Sequence, residues 1–150
     1  MPKIATKEKV ETKSLSKKKR ILWVEDDWGL VELYKIMIGS MPGIELEVIT
    51  LGTYAMQKIK DIEAGKSEKP DLVMLDLLLP DGINGDKILE TIRQTPSTKD
   101  IPVYILTNYG GEETESELTK NLNAEKCMIK ADWTPSKLMP FLGEKLGLKE

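Results

Sequence analysis

A chain of 150 residues and 16.9 kDa has the length of one ordinary domain, and 40% hydrophobic with 31% charged residues allow a buried core under a polar surface. Its apolar runs reach about six residues even with proline counted, far short of the roughly 20 that span a bilayer, and the first 20 residues are too polar for a signal peptide. Cys127 is the only cysteine and histidine is absent, which excludes an intramolecular disulfide, Ser-His and Cys-His catalysis, histidine-based zinc sites and a histidine phosphate carrier.

The net charge of -3 conceals an asymmetry. Residues 1-20 hold eight Lys or Arg against Glu8 and Glu11, a local +6, so the other 130 residues carry -9. The basic tail, residues 1-18, lacks aromatics and any periodic apolar face. It reads as a solvated leader, not as a nucleic-acid or anionic-membrane ligand.

From Ile21 onward short apolar runs alternate with amphipathic stretches. Ile21-Val24 is a strand closed by Glu25-Asp26-Asp27, with Asp27 read as a helix cap. Leu30, Val31, Leu33, Tyr34, Met37 and Ile38 follow a helical spacing that stops at Pro42-Gly43. Ile44-Val48 alternates strictly, as a half-exposed edge strand does, and Thr53-Ala64 is helical up to Gly65. Asp71-Asp76 encloses a continuous apolar run, the mark of a strand covered on both faces. Gly85-Arg93 predicts a short helix and Ile101-Leu106 another buried strand. Glu112-Asn123 predicts a weak acidic helix anchored by Leu118 and Leu122, and Lys126-Ile129 a short strand. Thr134-Pro135 opens a last helix in which Pro140 should introduce a kink.

Five strands and five helices in strict alternation predict an α/β fold: a three-layer, doubly wound, five-stranded parallel sheet of flavodoxin-like order 2-1-3-4-5. Ligands of such sheets bind beyond the carboxyl ends of the strands, where strand order reverses. Those ends carry Glu25-Asp26, Asp76, Thr107 and Lys130. Three converging carboxylates repel one another by roughly 4 kcal/mol per pair at about 4 Å and an effective dielectric near 20. A hard divalent cation offsets that repulsion, and magnesium suits a small oxygen-lined site. Phosphoryl transfer needs a nucleophile, a metal and further donors around the phosphoryl oxygens. Asp76, the cation, Lys130 and Thr107 meet those needs.

The chain resembles the response-regulator receiver domains of two-component signalling, the CheY-like family. The resemblance runs through Ile21-Asp27, Asp71-Gly82, Pro102-Thr107 and Met128-Lys130, each in its place in the alternation, and covers about residues 19-148. It implies that Glu25 and Asp26 hold Mg2+, that Asp76 is both phospho-acceptor and metal ligand, and that the backbone carbonyl of Leu78 is another ligand. It also implies that Thr107 is a switch hydroxyl and that Lys130 contacts the phosphate. The expected donor is a phosphohistidine on a sensor histidine kinase or phosphotransfer protein.

A cytoplasmic signalling domain rather than an enzyme is implied, one that takes part in its own phosphotransfer and dephosphorylation. The chain ends near where such a domain ends, so a stand-alone receiver acting on a protein target is expected. A dimer through the fourth-helix, fifth-strand and fifth-helix face is one form of that contact. The alternative is a receiver-like interaction module that is not phosphorylated.

Four departures from the family pattern stand out. The loop Pro80-Gly85 is one residue longer before its glycine, which bears on the placement of the third helix. Ala131 follows Lys130 where proline is common, which bears on a cis bond there. Cys127 replaces an aromatic and reads as a buried structural thiol, and Asn108 replaces a small residue. Apolar Leu78 offers nothing to orient water and Tyr109 could cover the phosphate, so slow self-dephosphorylation is expected.

Overall fold

The computed structural model describes residues 17-148; most of the basic-tail reading falls on residues 1-16, outside them. Five parallel strands form one sheet in the order β2-β1-β3-β4-β5: β1 Lys19–Val24, β2 Ile44–Ile49, β3 Leu72–Leu75, β4 Val103–Thr107 and β5 Lys126–Ile129. Five α-helices connect and follow them: α1 Trp28–Gly39, α2 Gly52–Glu63, α3 Gly85–Gln94, α4 Glu112–Ser116 and α5 Pro135–Lys145. The expected α/β architecture and strand order are those observed.

Side chains alternate across a strand, and here the alternation sorts the core into two halves. Ile21, Trp23, Leu72, Met74, Tyr104, Leu106 and Met128 face α1 and α5, where they meet Tyr34, Ile38, Leu138 and Leu142. Leu22, Val24, Val73, Leu75, Val103, Ile105 and Cys127 face the other way, against Ile59, Ile88, Leu89, Ile92 and Leu118. Each central strand is therefore apolar on both faces, which is why its sequence shows a run rather than an alternation. Edge strand β2 shows the alternation instead, with Glu45 and Glu47 exposed.

Local chemistry sets the element ends. Asp27 caps α1 by accepting Leu30 N–H at 3.1 Å, as its position predicts. Strand β4 starts at Val103 rather than Ile101 because Pro102 has no N–H to give the ladder. Thr134 holds the N-cap position of α5 with no side-chain cap bond, Pro135 follows at the first turn, and the helix runs on through Pro140. No described peptide bond is cis, Lys130-Ala131 included.

The acidic helix is the element the pattern describes least well. Only Glu112–Ser116 is α-helical; Glu117–Asn121 continues as a π-helix, and Asn123 closes it at φ 59. Leu118 is buried while Leu122 is half-buried, so packing imposes little of the 3.6-residue period. The guanidinium of Arg93 holds the far end, donating to the carbonyls of Leu122, Lys99, Ile101 and Asn123 at 2.8–3.3 Å.

Candidate functional site

The alternation that sorts the core also aims the polar residues beyond it. Glu25 continues the face of Ile21 and Trp23, Asp76 that of Leu72 and Met74, and Lys130 that of Met128, so all three lean toward the α1/α5 side of one sheet rim. The adjacent strands are in register there, with Val24 beside Leu75, and Asp76 N–H donates to the Val24 carbonyl at 3.0 Å. Strands β1 and β3 flank the point where strand order reverses, the rim position at which such sheets hold ligands.

Carboxylate oxygens of Glu25, Asp26 and Asp76 lie within 4.8 Å of one another. The Lys130 ammonium, reaching past the end of β4, lies 2.8 Å from Glu25 Oε1 and 2.8 Å from Asp76 Oδ2. Its hydrogen bond goes to Asp76, whose Oδ1 accepts Leu77 N–H at 2.7 Å. Glu25 is 1% exposed; its Oε2 accepts Asp27 N–H at 3.1 Å, while its buried Oε1 is paired with the Lys130 ammonium.

The charges are unequal. Three carboxylates meet one ammonium, leaving a deficit of two positive charges when all are ionised. Burial pushes the Glu25 carboxyl above the usual range; the Lys130 ammonium works against that push and the charge of Asp76 adds to it. Burial also works against the charge on Lys130, but its bonds to Asp76 and Glu25 outweigh it and hold the ammonium above the ordinary lysine value. Three hard oxygen donors, with one ammonium to balance their charge, fit a divalent cation.

Thr107 ends β4 at the same rim, fully buried, its Oγ1 accepting Tyr109 N–H at 3.2 Å. Leu78 and Tyr109 are exposed, and Cys127 is buried, its thiol pushed up by burial and then by Glu115. Asp27 is engaged as the α1 cap, and edge strand β2 contributes no carboxylate to the cluster.

Two backbone features seat the loop that follows β3. Gly85, the first residue of α3, packs so close to Asp76 that a Cβ there would collide with the Asp76 carbonyl oxygen, and its N–H donates to Leu77 O at 2.8 Å. Gly82 turns the chain at φ 80, closing Leu79-Pro80-Asp81-Gly82 with a 3.2 Å bond to Leu79 O. Sequence reasoning passed over Asp81, whose carboxylate reaches Gly52 and Thr53 at the start of α2. A separation of 28 residues leaves no local signal for that contact.

Comparison with known proteins fits this geometry. MtrA of Mycobacterium leprae, a DNA-binding response regulator, is 34% identical over 90 residues, 60% of this chain and 35% of that protein, so the chain spans about a third of MtrA's length. The Mn(2+)-bound form of response regulator Rcp1 superposes with a TM-score of 0.69 at 28% identity, covering 84% of this chain and 90% of that one. The phosphorylated cyanobacterial phytochrome response regulator RcpA does so with a TM-score of 0.67 at 26% identity, covering 87% and 90%. Residues 21–140 match the response regulator receiver domain, and the chain belongs to that family.

Proposed function

We propose that the receiver domain, residues 19-148, accepts a phosphoryl group on Asp76 and passes the change on by altered protein contacts. The observation that carries this reading is the gathering of Glu25, Asp26 and Asp76 within 4.8 Å around a rim that Lys130 closes at 2.8 Å. Mg2+ is the proposed cation, with Glu25, Asp26, Asp76 and the Leu78 carbonyl as its ligands. When bound it neutralises phosphoryl oxygens that the carboxylates would otherwise repel. The Mn2+ carried by Rcp1 and the phosphorylation of RcpA, both similar to this chain, support the assignment.

In the proposed transfer an Asp76 carboxylate oxygen attacks the phosphorus of a phosphohistidine on a sensor histidine kinase or phosphotransfer protein. A P–O bond forms, the P–N bond breaks, and the imidazole leaves with the electron pair. Lys130 already touches Asp76 Oδ2 and remains beside the new phosphoryl oxygens as their cationic partner. Burial leaves the Thr107 hydroxyl with one fixed neighbour, the Tyr109 N–H, and the proposed switch re-aims that hydroxyl to the phosphoryl group. Exposed, apolar Leu78 offers no group to orient a hydrolytic water, which supports a long-lived acyl phosphate.

The test is to incubate the full chain with Mg2+ and acetyl phosphate, with and without Asp76→Asn, and weigh the intact protein. A gain of one phosphoryl group in the parent alone supports the reading. No gain with a saturating donor leaves an interaction module that is not phosphorylated.

A further inference from the structure

The loop from Asp76 to Asn84 carries the proposed phospho-acceptor at its first residue, and its far end is lashed to a helix on another part of the chain. Asp81 Oδ1 accepts Gly52 N–H at 3.0 Å, while Oδ2 accepts Thr53 N–H at 2.8 Å and the Thr53 hydroxyl at 2.7 Å. Helix α2 has no cap of its own, because Leu51 stands at its N-cap position and offers no side-chain acceptor. The opening N–H groups of a helix need acceptors and carry the positive end of its dipole. A carboxylate delivered from the next strand-helix loop therefore does for α2 what Asp27 does for α1.

The same loop is stitched to itself. Leu79 N–H donates to Asn84 Oδ1 at 3.1 Å, Gly82 N–H to Leu79 O at 3.2 Å, and Gly85 N–H to Leu77 O at 2.8 Å. Leu79 is buried in the core, and Ile83 presses on Gly52 so closely that a Cβ at Gly52 would collide with the Ile83 carbonyl oxygen. The loop thus behaves as one small body that docks on α2 through Ile83 and Asp81.

We propose that Asp81 is a positioning residue for the acidic pocket: its bonds to Gly52 and Thr53 fix the loop backbone and so hold the Leu78 carbonyl where it completes the cation site. This rests on the phospho-acceptor reading above, and it adds a residue that touches neither cation nor phosphoryl group.

Calorimetric Mg2+ titrations of the full chain and of Asp81→Ala, Asp81→Asn and Thr53→Val test the proposal, with thermal unfolding followed alongside. Asp81→Ala weakens Mg2+ binding about tenfold, the lower end of what outer contacts to metal ligands are worth. Asp81→Asn keeps an acceptor oxygen and loses less, and Thr53→Val, which gives up the hydroxyl bond alone, loses least. Labelling by acetyl phosphate slows in the same order at low Mg2+ and recovers at saturating Mg2+.

A purely structural role instead lowers the unfolding temperature in that order and leaves the Mg2+ affinity of the folded protein unchanged, and that result overturns the proposal. If Asp81→Ala does not fold, unchanged affinity in the other two variants overturns it equally. An unaltered chain that neither binds Mg2+ nor labels at Asp76 overturns the phospho-acceptor reading and this inference together. Normal Mg2+ binding in the parent with unaffected variants removes this inference alone.

Discussion

Lys130, from the end of β5, donates a 2.8 Å hydrogen bond to Asp76, from the end of β3, across the intervening strand β4. The ammonium is the cationic counterpart of two nearly buried carboxylates. Lys130→Met keeps the aliphatic stem and leaves Glu25 and Asp76 facing each other unpaired. Without metal this should cost about 3 kcal/mol, the lower end for breaking a buried ion pair. Mg2+ restores positive charge, so urea unfolding with and without Mg2+ should show a larger metal-induced gain in the variant than in the parent.

Glu25 works in the opposite sense. Burial raises its carboxyl above the ordinary value of 4.5. Between that value and its folded pKa the native state holds more protons than the unfolded chain, so stability falls as pH rises through the window and Glu25 opposes folding at neutral pH. Glu25→Gln keeps the shape and removes the buried charge. The metal-free protein should gain roughly 0.5–2 kcal/mol, typical of relieving such a conflict, and its Mg2+ response should disappear. Denaturation curves and Mg2+ titration of the same variant check both halves.

Among the described residues Arg93 makes no salt bridge; its planar fork is spent on four carbonyls that join the end of α3 to the α3-β4 loop and the turn after the π segment. Arg93→Ala should cost about 2–3 kcal/mol, since hydrogen bonds to a charged donor are worth more than neutral ones and the carbonyls lose their donor. Arg93→Lys should rescue little, because one ammonium does not reproduce the fork. Amide exchange should quicken at Ala124, whose N–H donates to Leu118 O at 2.8 Å just past Asn123.

Asp81 also sets an acid limb. Bonds from the Thr53 N–H and hydroxyl hold its carboxyl below the ordinary 3.8. A lowered acid contributes stability above its unfolded value and loses it as pH falls through the folded one. The difference in unfolding temperature between the parent and Asp81→Asn should therefore be constant above about pH 5 and shrink below pH 4.

Much of this architecture could be read from the chain, because burial on both faces writes the central strands as runs such as Leu72-Val73-Met74-Leu75 and edge strand β2 as an alternation. The convergence of Glu25, Asp76 and Lys130 followed from the strand order together with the side-chain period of two. Glu117–Asn121 did not follow, because with Leu118 alone buried nothing in the pattern distinguishes an α turn from a π turn. Asp81 and Arg93 were silent for a different reason. Apart from the Thr53 hydroxyl, their partners are backbone groups whose identity leaves no mark on the sequence, up to 30 residues away.

The central claim is that Asp76 itself carries the phosphoryl group. Borohydride reduces an aspartyl phosphate to homoserine, so the chain is labelled with acetyl phosphate and Mg2+, trapped with borohydride, digested and sequenced by mass spectrometry. The account predicts homoserine at position 76, dependent on Mg2+. Homoserine at Asp26 or Asp27, or phosphate retained on a serine or threonine with Asp76 intact, would contradict it.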